Sequence, residues 1–368
     1  MLNTWFFIFS TLFLNGNFNE KTIPQSFIHS GKVKLTAYPQ QIYIEQGRSA
    51  QYLNFDMAVQ NLSDDTLTIT SIEVSIFDKA GKLAVRRAVN DNGINPSIQT
   101  VANREIMGKA TGLIYNPFHT IEPDVPLGSL RYEFTFQVNS DRKNRFTQQV
   151  TVSPVAYKPK TSLVHPLKGR SIVYDGHDGY SHHRRFEFTH PYLQSLGINS
   201  NFMRYSYDFC TVNENGDMFK DKGEKNEDWY SFGAPVYATG GGKIIAWFDG
   251  REDDGSFNPD DFKTEALALY GNYIAIDHLN GEVSIYGHLK KGSLKVKPGD
   301  MVRQGQVVAE MGASGSAHIP HLHYELRTGA DLKAEGLPSY FSNFSRVLGS
   351  KSVKVKKGMI DTGDIIEN

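Results

Sequence analysis

The run Gly312-Ala-Ser-Gly-Ser-Ala-His-Ile-Pro-His-Leu-His-Tyr-Glu-Leu-Arg327 sets two histidines two residues apart, with a glutamate two further on. Alternate side chains of a strand share a face, so His321, His323 and Glu325 point one way while Leu322, Tyr324 and Leu326 point the other. Neutral imidazole is the commonest protein metal ligand and is also an acid–base group near neutral pH. Two histidines on the polar face of one strand can therefore supply a metal ligand and a neighbouring proton-transfer group. A bare His-x-His also occurs on solvated strand faces. The Gly-Ser-rich lead-in and Pro320 make this one more specific.

Ten of the twelve histidines lie beyond residue 160, and only His29 and His119 precede it, which places the chemistry in the second half. The single cysteine, Cys210, excludes disulfide scaffolds and thiolate-rich metal sites. Any metal must then be held by His, Asp or Glu. The balance of 39 basic against 40 acidic residues, net −1, argues against a nucleic-acid partner. The acidic loop Asp249–Phe257 misses the EF-hand spacing and reads as a solvated insertion. His165, His177, His190 and His278 have no motif around them and read as structural or exposed, Cys210 as a small semi-buried side chain.

A chain of 368 residues is long enough for two to three domains at roughly 150 residues each. From about 32 to 154 it alternates in strand fashion, as in 41–45, 67–77 and 130–138, with turn clusters such as Leu62-Ser-Asp-Asp65 between the runs. About seven short strands predict an immunoglobulin-like β-sandwich over 30–154. The strands flanking Asp78-Lys-Ala-Gly81 form one hairpin. No catalytic constellation falls in this half, which reads as a spacer or targeting module. Pro154–Lys160 has linker composition, and the second half, 160–345, is strand-rich and Gly-punctuated. Only Asp261–Tyr270 could hold a few helical turns, and the tail 346–368 alternates like an added strand pair. The apolar run Trp5–Leu14 is too short for a bilayer span, which needs about 20 residues, and suits a signal peptide over 1–19. Secretion or export to a periplasm follows, with no stable membrane span elsewhere.

Further motifs precede the histidine pair. They are Arg204-Tyr-Ser-Tyr-Asp-Phe209, Tyr286-Gly-His-Leu289 and Val296-Lys-Pro-Gly-Asp-Met-Val-Arg-Gln-Gly-Gln306. With Gly312-Ala-Ser-Gly315 and Pro320-His-Leu-His-Tyr-Glu325, they make residues from about 165 to 330 resemble the lysostaphin/LytM-type zinc metallopeptidases. The resemblance implies an all-β fold, a compact antiparallel sheet with a groove over the metal, and peptidoglycan or its peptide stems as substrate. It further implies Zn2+ held by Asp208 and His323, with His288 and His321 as the non-ligand catalytic histidines. The position of the family's first zinc histidine is Arg204, and a guanidinium cannot ligate a metal. Arg204 is assigned instead to a substrate carboxylate or the developing oxyanion. The run Tyr180–Phe188 reads as a strand that could pair with the Asp208 strand, and a branch of the family keeps an upstream histidine in this way. His183 is therefore expected as the third ligand, with His182 as the alternative, and His318 as a group lining the groove. The function implied is an exported zinc metalloendopeptidase cutting peptidoglycan cross-links. The departure at Arg204 keeps open a catalytically degenerate relative that binds peptidoglycan or activates another cell-wall hydrolase.

Overall fold

The computed structural model describes residues 31–368, and the expected signal peptide lies outside the described residues. In the first half, Val33–Tyr38, Asp56–Asn61 and Thr111–Tyr115 form a three-stranded antiparallel sheet. A second sheet runs in the order Asp141–Val152, Ser129–Val138, Leu67–Phe77, Leu83–Asn90. Alternation explains the packing. Leu130, Tyr132, Phe134, Phe136 and Val138 turn inward, and they share one apolar cluster with Val33, Leu35, Met57 and Val59 of the other sheet. The expected hairpin is present, its turn held by Asp78 Oδ1, which accepts from Ala80 N at 2.9 Å and Lys82 N at 2.8 Å.

The strand Asp56–Asn61 is buried on both faces. Met57 and Val59 face the first core, while Ala58 and Leu113 of its neighbour pack with Phe188, Ile198, Phe202, Tyr270 and Ile285 of the second half. The linker is also built in, since Val155–Ala156 pairs in parallel with Tyr43–Gln46 and the Tyr157 hydroxyl donates to Glu282 Oε1 at 2.6 Å. The first half is thus fused to the second by apolar contact and hydrogen bonds.

The second half is organised by a 12-stranded sheet. Its central strands lie in the order Arg170–Asp175, Tyr207–Thr211, Leu322–Arg327, Val283–Leu289, Asn272–Asp277, Gly242–Phe248. The tail completes it. Lys351–Gly358 forms a hairpin with Phe341–Leu348, and Ile365–Glu367 pairs on one side with that strand and on the other with Arg170–Asp175.

Three local expectations change. Tyr180–Phe188 is a series of turns rather than a strand, because Asp178 Oδ1 accepts from Tyr180 N at 2.8 Å and Ser181 Oγ from Arg184 N at 3.2 Å. Such local side-chain bonds compete with strand pairing. The stretch 261–270 carries 3-10 turns at Pro259–Lys263 and Ala268–Tyr270 instead of a helix. The acidic loop is a bracket: Asp249 takes the amide of Gly292 at 2.6 Å, and Asp253 takes those of Ala313 at 2.9 Å and Lys291 at 3.0 Å.

Candidate metal centre

The central strands bring the polar side chains together by register. Asp208 lies directly opposite His323 across the antiparallel pair, and Gly287, the residue before His288, lies opposite His323 on its other side. Asp208 Oδ1 is 3.0 Å from His323 Nδ1, 3.4 Å from His321 Nε2 and 3.4 Å from His183 Nε2. Three imidazoles from two parts of the chain therefore converge on one carboxylate oxygen. Burial opposes charge on Asp208, yet His183 and His321 beside it hold its carboxyl well below the ordinary value, so it is ionised.

His183 arrives on the turn between Arg170–Asp175 and the short helix Pro191–Ser195. Its Nδ1 donates to Gly176 O at 2.8 Å, and its carbonyl accepts from Asn201 Nδ2 at 2.7 Å. A proton on Nδ1 leaves the Nε2 lone pair free. Burial, against the pull of Asp208, lowers the pKa of His183 and keeps it neutral. Its Nε2 is fully buried without a hydrogen-bond partner, and so is His323 Nε2. Buried polar atoms left without partners are costly unless something else engages them. At His183 Nε2, a metal ion shared with Asp208 satisfies that need, so the donor set fits a cation.

Behind His323, Glu325 stands 3.9 Å from Nε2 and is held by Ser206 Oγ at 2.9 Å and Tyr270 OH at 2.9 Å. The Tyr270 ring stacks on His323 at 4.6 Å between centroids. A carboxylate behind a ligand imidazole fixes its orientation and raises its basicity. The strand face shared by His321, His323 and Glu325 is thus read from alternation, whereas no motif marks Tyr270.

His288 and His321 form a second pair, with ring centroids 4.6 Å apart. Their Nδ1 atoms donate to Ser314 O at 2.8 Å and Ile319 O at 2.7 Å, which fixes both tautomers with the proton on Nδ1 and leaves His321 Nε2 turned toward Asp208. Burial and the neighbouring His321 and His323 push the His288 imidazole well below its ordinary value, so it is a neutral base. His288 also sits at φ +57, a left-handed conformation costing about 1–2 kcal/mol for a residue with a Cβ. Gly312 N donating to His288 O at 2.9 Å helps hold it there.

His182 is exposed, and its Nδ1 is bound to Asp175 Oδ2. Donor atoms of Asp175, His182, His183 and Asp208 do fall within 4.8 Å of one another, so His182 stays at the edge of the cluster. Arg204 is not at the cluster. It is fully buried, and its guanidinium donates to Asp56 Oδ2 at 2.6 Å in the first half. Contact with substrate is incompatible with that burial. His318 is exposed, while His165, His177 and His278 are buried and bonded within the fold. Cys210 is buried, its thiol pushed up to about 12 by burial and by Asp208, which makes it a poor nucleophile.

Residues 228–334 match Peptidase family M23, and the chain carries an M23 peptidase domain. The matched stretch includes His288, His321 and His323 but begins after His183 and Asp208. Peptidoglycan DD-endopeptidase ShyB of Vibrio cholerae serotype O1 is 36% identical over 94 residues, covering 26% of this chain and 18% of that protein. ShyC, a peptidoglycan DD-endopeptidase of the same organism, is 30% identical over 132 residues, 34% of this chain and 26% of that one. The aligned stretch is about a fifth of the length of the first curated relatives, 18% of ShyB and 19% of the cell division protein DipM of Caulobacter vibrioides. Among solved structures, the catalytic domain of lysostaphin from Staphylococcus simulans is 25% identical over 35% of this chain and 70% of that chain, with a TM-score of 0.22.

Proposed function

We propose that this protein is an exported zinc metalloendopeptidase that hydrolyses peptide cross-links of peptidoglycan. The observation that carries the reading is the convergence of His183, His321 and His323 on Asp208 Oδ1, with His183 Nε2 buried and unpartnered. In this reading His183, Asp208 and His323 are the metal ligands. Two histidines and a carboxylate form a donor set that suits zinc and leaves a fourth position for water. When bound there, zinc supplies an activated water and a Lewis acid for the scissile carbonyl.

The protein's own contribution is proton handling and orientation. His321 and His288 each carry a fixed Nδ1–H and an unprotonated Nε2, the tautomer needed to accept a proton from the attacking water and pass it to the leaving amine. The neutral state of His288 suits it to begin as the base. Once protonated, either imidazolium can donate to the oxyanion that forms on the substrate. Glu325 and Tyr270 hold the His323 ring in one orientation from behind.

Peptidoglycan as the substrate class is supported by the names of the relatives, and that substrate calls for export. No helix among the described residues is long and apolar enough to cross a membrane. The retained His288–His321 pair favours catalysis over a degenerate binding role, because a dead site has no need for two tautomer-fixed imidazoles.

The test is metal content by mass spectrometry, together with release of muropeptides from purified peptidoglycan. About one zinc per parent chain and almost none in His183→Ala is expected, with loss of muropeptide release in the variant. Absence of zinc from the parent after reconstitution would overturn the metal reading. Zinc lost from His182→Ala but retained by His183→Ala would move the ligand to His182.

A further inference from the structure

Two of the ligands in the proposed zinc site lie in or directly after runs of turns. His183 lies in the turns of 176–185, and Asp208 is the second residue of the strand Tyr207–Thr211, which follows the turns of 202–205. Each segment is anchored by a buried arginine, Arg184 next to His183 and Arg204 four residues before Asp208. Both guanidiniums converge on one carboxylate. Asp56 Oδ1 accepts from Arg184 Nη1, Asp56 Oδ2 accepts from Arg204 Nη1 at 2.6 Å, and all three side chains are essentially inaccessible to water.

The remaining contacts of the arginines lead back to the same place. Arg184 Nη2 donates to Phe55 O at 2.6 Å, and Arg204 donates to Asn54 O at 3.4 Å and Ser200 Oγ at 3.3 Å. A second nearby carboxylate, Glu335, is linked to Arg204 by hydrogen bonds through Ser200 Oγ, which donates to Glu335 Oε2 at 2.9 Å. Asp56 itself cannot drift. It is paired with Tyr38 on one side and Tyr115 on the other, in a strand buried on both faces.

We propose that Asp56 is a positioning residue of the metal centre, its two oxygens fixing the separation of His183 from Asp208 through Arg184 and Arg204. The proposal rests on the zinc reading above. It gives the first half of the chain a part in metal binding through Asp56, which acts through the two arginines and is not itself a ligand. It also accounts for the arginine at 204. A planar guanidinium holds donors on separate nitrogens at a fixed spacing, so Nη1 meets the Asp56 carboxylate and the Asn54 carbonyl while Nη2 meets Ser200 Oγ, a spread that the single nitrogen of lysine and the two ring nitrogens of histidine do not offer. Groups that orient ligands from behind typically change metal affinity by about 10- to 100-fold when removed.

The test is zinc affinity of the full-length protein, measured by competition with a chromogenic chelator, with the visible bands of the cobalt(II) form as a second readout. Asp56→Asn and Asp56→Glu are expected to bind zinc about 10- to 100-fold more weakly and to shift the cobalt bands. If Asp56→Asn does not fold, Asp56→Glu carries the test, because it keeps a negative charge between the arginines while displacing them. Tyr157→Phe is the comparison, since it removes a contact to Glu282 that touches neither ligand segment. It is expected to lower the melting temperature with parental zinc affinity and parental cobalt bands. Parental affinity and bands in folded Asp56 variants would overturn the proposal and leave the zinc reading standing. Equal loss of affinity in Tyr157→Phe would also overturn it, by reducing the effect to general destabilisation. A parent that binds neither metal would overturn both readings.

Discussion

Gly315→Ala should damage the proposed acid–base pair while sparing the metal ligands. Gly315 has φ +70 and stands back to back with Gly271, which has φ +64. A Cβ at 315 would lie 2.3 Å from Gly271 N, 2.6 Å from Gly271 Cα and 2.8 Å from Leu269 O. All three are backbone atoms, so no flexible side chain can swing aside. The left-handed φ costs an L-residue about 1–2 kcal/mol, and forced overpacking adds about 1–3 kcal/mol, giving a total of about 2–5 kcal/mol. At about 2–4 °C per kcal/mol for a domain of this size, the melting temperature should fall by about 4–20 °C. The strain is relieved only by moving 314–315 away from 271. That movement takes Ser314 O away from His288 Nδ1 and Ser314 Oγ away from Asn272 N, now at 2.8 Å and 2.9 Å. His288, already at a left-handed φ, then loses the acceptor that fixes its tautomer. The assay is differential scanning calorimetry with zinc content and muropeptide release on the same preparation. Bound zinc with turnover reduced far more than the loss of folded protein explains is the expected result. An unchanged melting temperature and parental turnover would refute the reasoning.

Other outcomes follow from the same geometry. His288→Ala and His321→Ala should each keep zinc and lose about 10²- to 10⁴-fold in turnover, and zinc loss from both would sink their assignment as non-ligands. Burial holds the His165 imidazole down to about 4, against an ordinary 6.5, so between those values the unfolded chain binds the extra proton. Its contribution to stability is complete above pH 6.5 and falls by about 3 kcal/mol as pH drops toward 4. His165→Phe should shallow the acid limb of urea midpoints measured across that window, and an unchanged slope would contradict it. Cys210, with its thiol pushed up to about 12, should resist iodoacetamide in the native protein and react on unfolding, and fast native labelling would count against its burial.

The parts of the fold that could be read from sequence are those in which one periodicity decides the outcome. The inward alternation of Leu130 to Val138 and the His321–His323–Glu325 face both depend on side chains alternating about a strand. Tyr180–Phe188 shows why the same signal misleads. Phe186 and Phe188 alternate, but Asp178 and Ser181 satisfy nearby amides and close turns first. His183 nonetheless reaches Asp208, by a buried turn instead of strand pairing. The partner of Arg204 was beyond any local reading, since Asp56 is 148 positions away in the chain. A buried guanidinium leaves no spacing signature, and its departure from the family pattern could equally suggest contact with substrate. The fusion of the halves was hidden for a related reason. Asp56-Met-Ala-Val-Gln-Asn61 alternates like a strand with one buried face, while Asp56 and Ala58 are buried on the other.

That doubly buried strand bears on how freely such chains can be recombined. Cutting at the linker to harvest the M23 portion as a stand-alone domain would bare Phe188, Ile198 and Phe202, and would leave two arginines in an apolar wall with their counter-charge gone. Stranded buried charge and exposed apolar surface are a recipe for aggregation. A graft onto another targeting module would have to carry Asp56–Asn61 and its two neighbouring strands with it. The smallest transferable unit is therefore larger than the stretch that relatives share, and a lineage that shuffles its M23 domains would have to move the whole assembly or rebuild the seam.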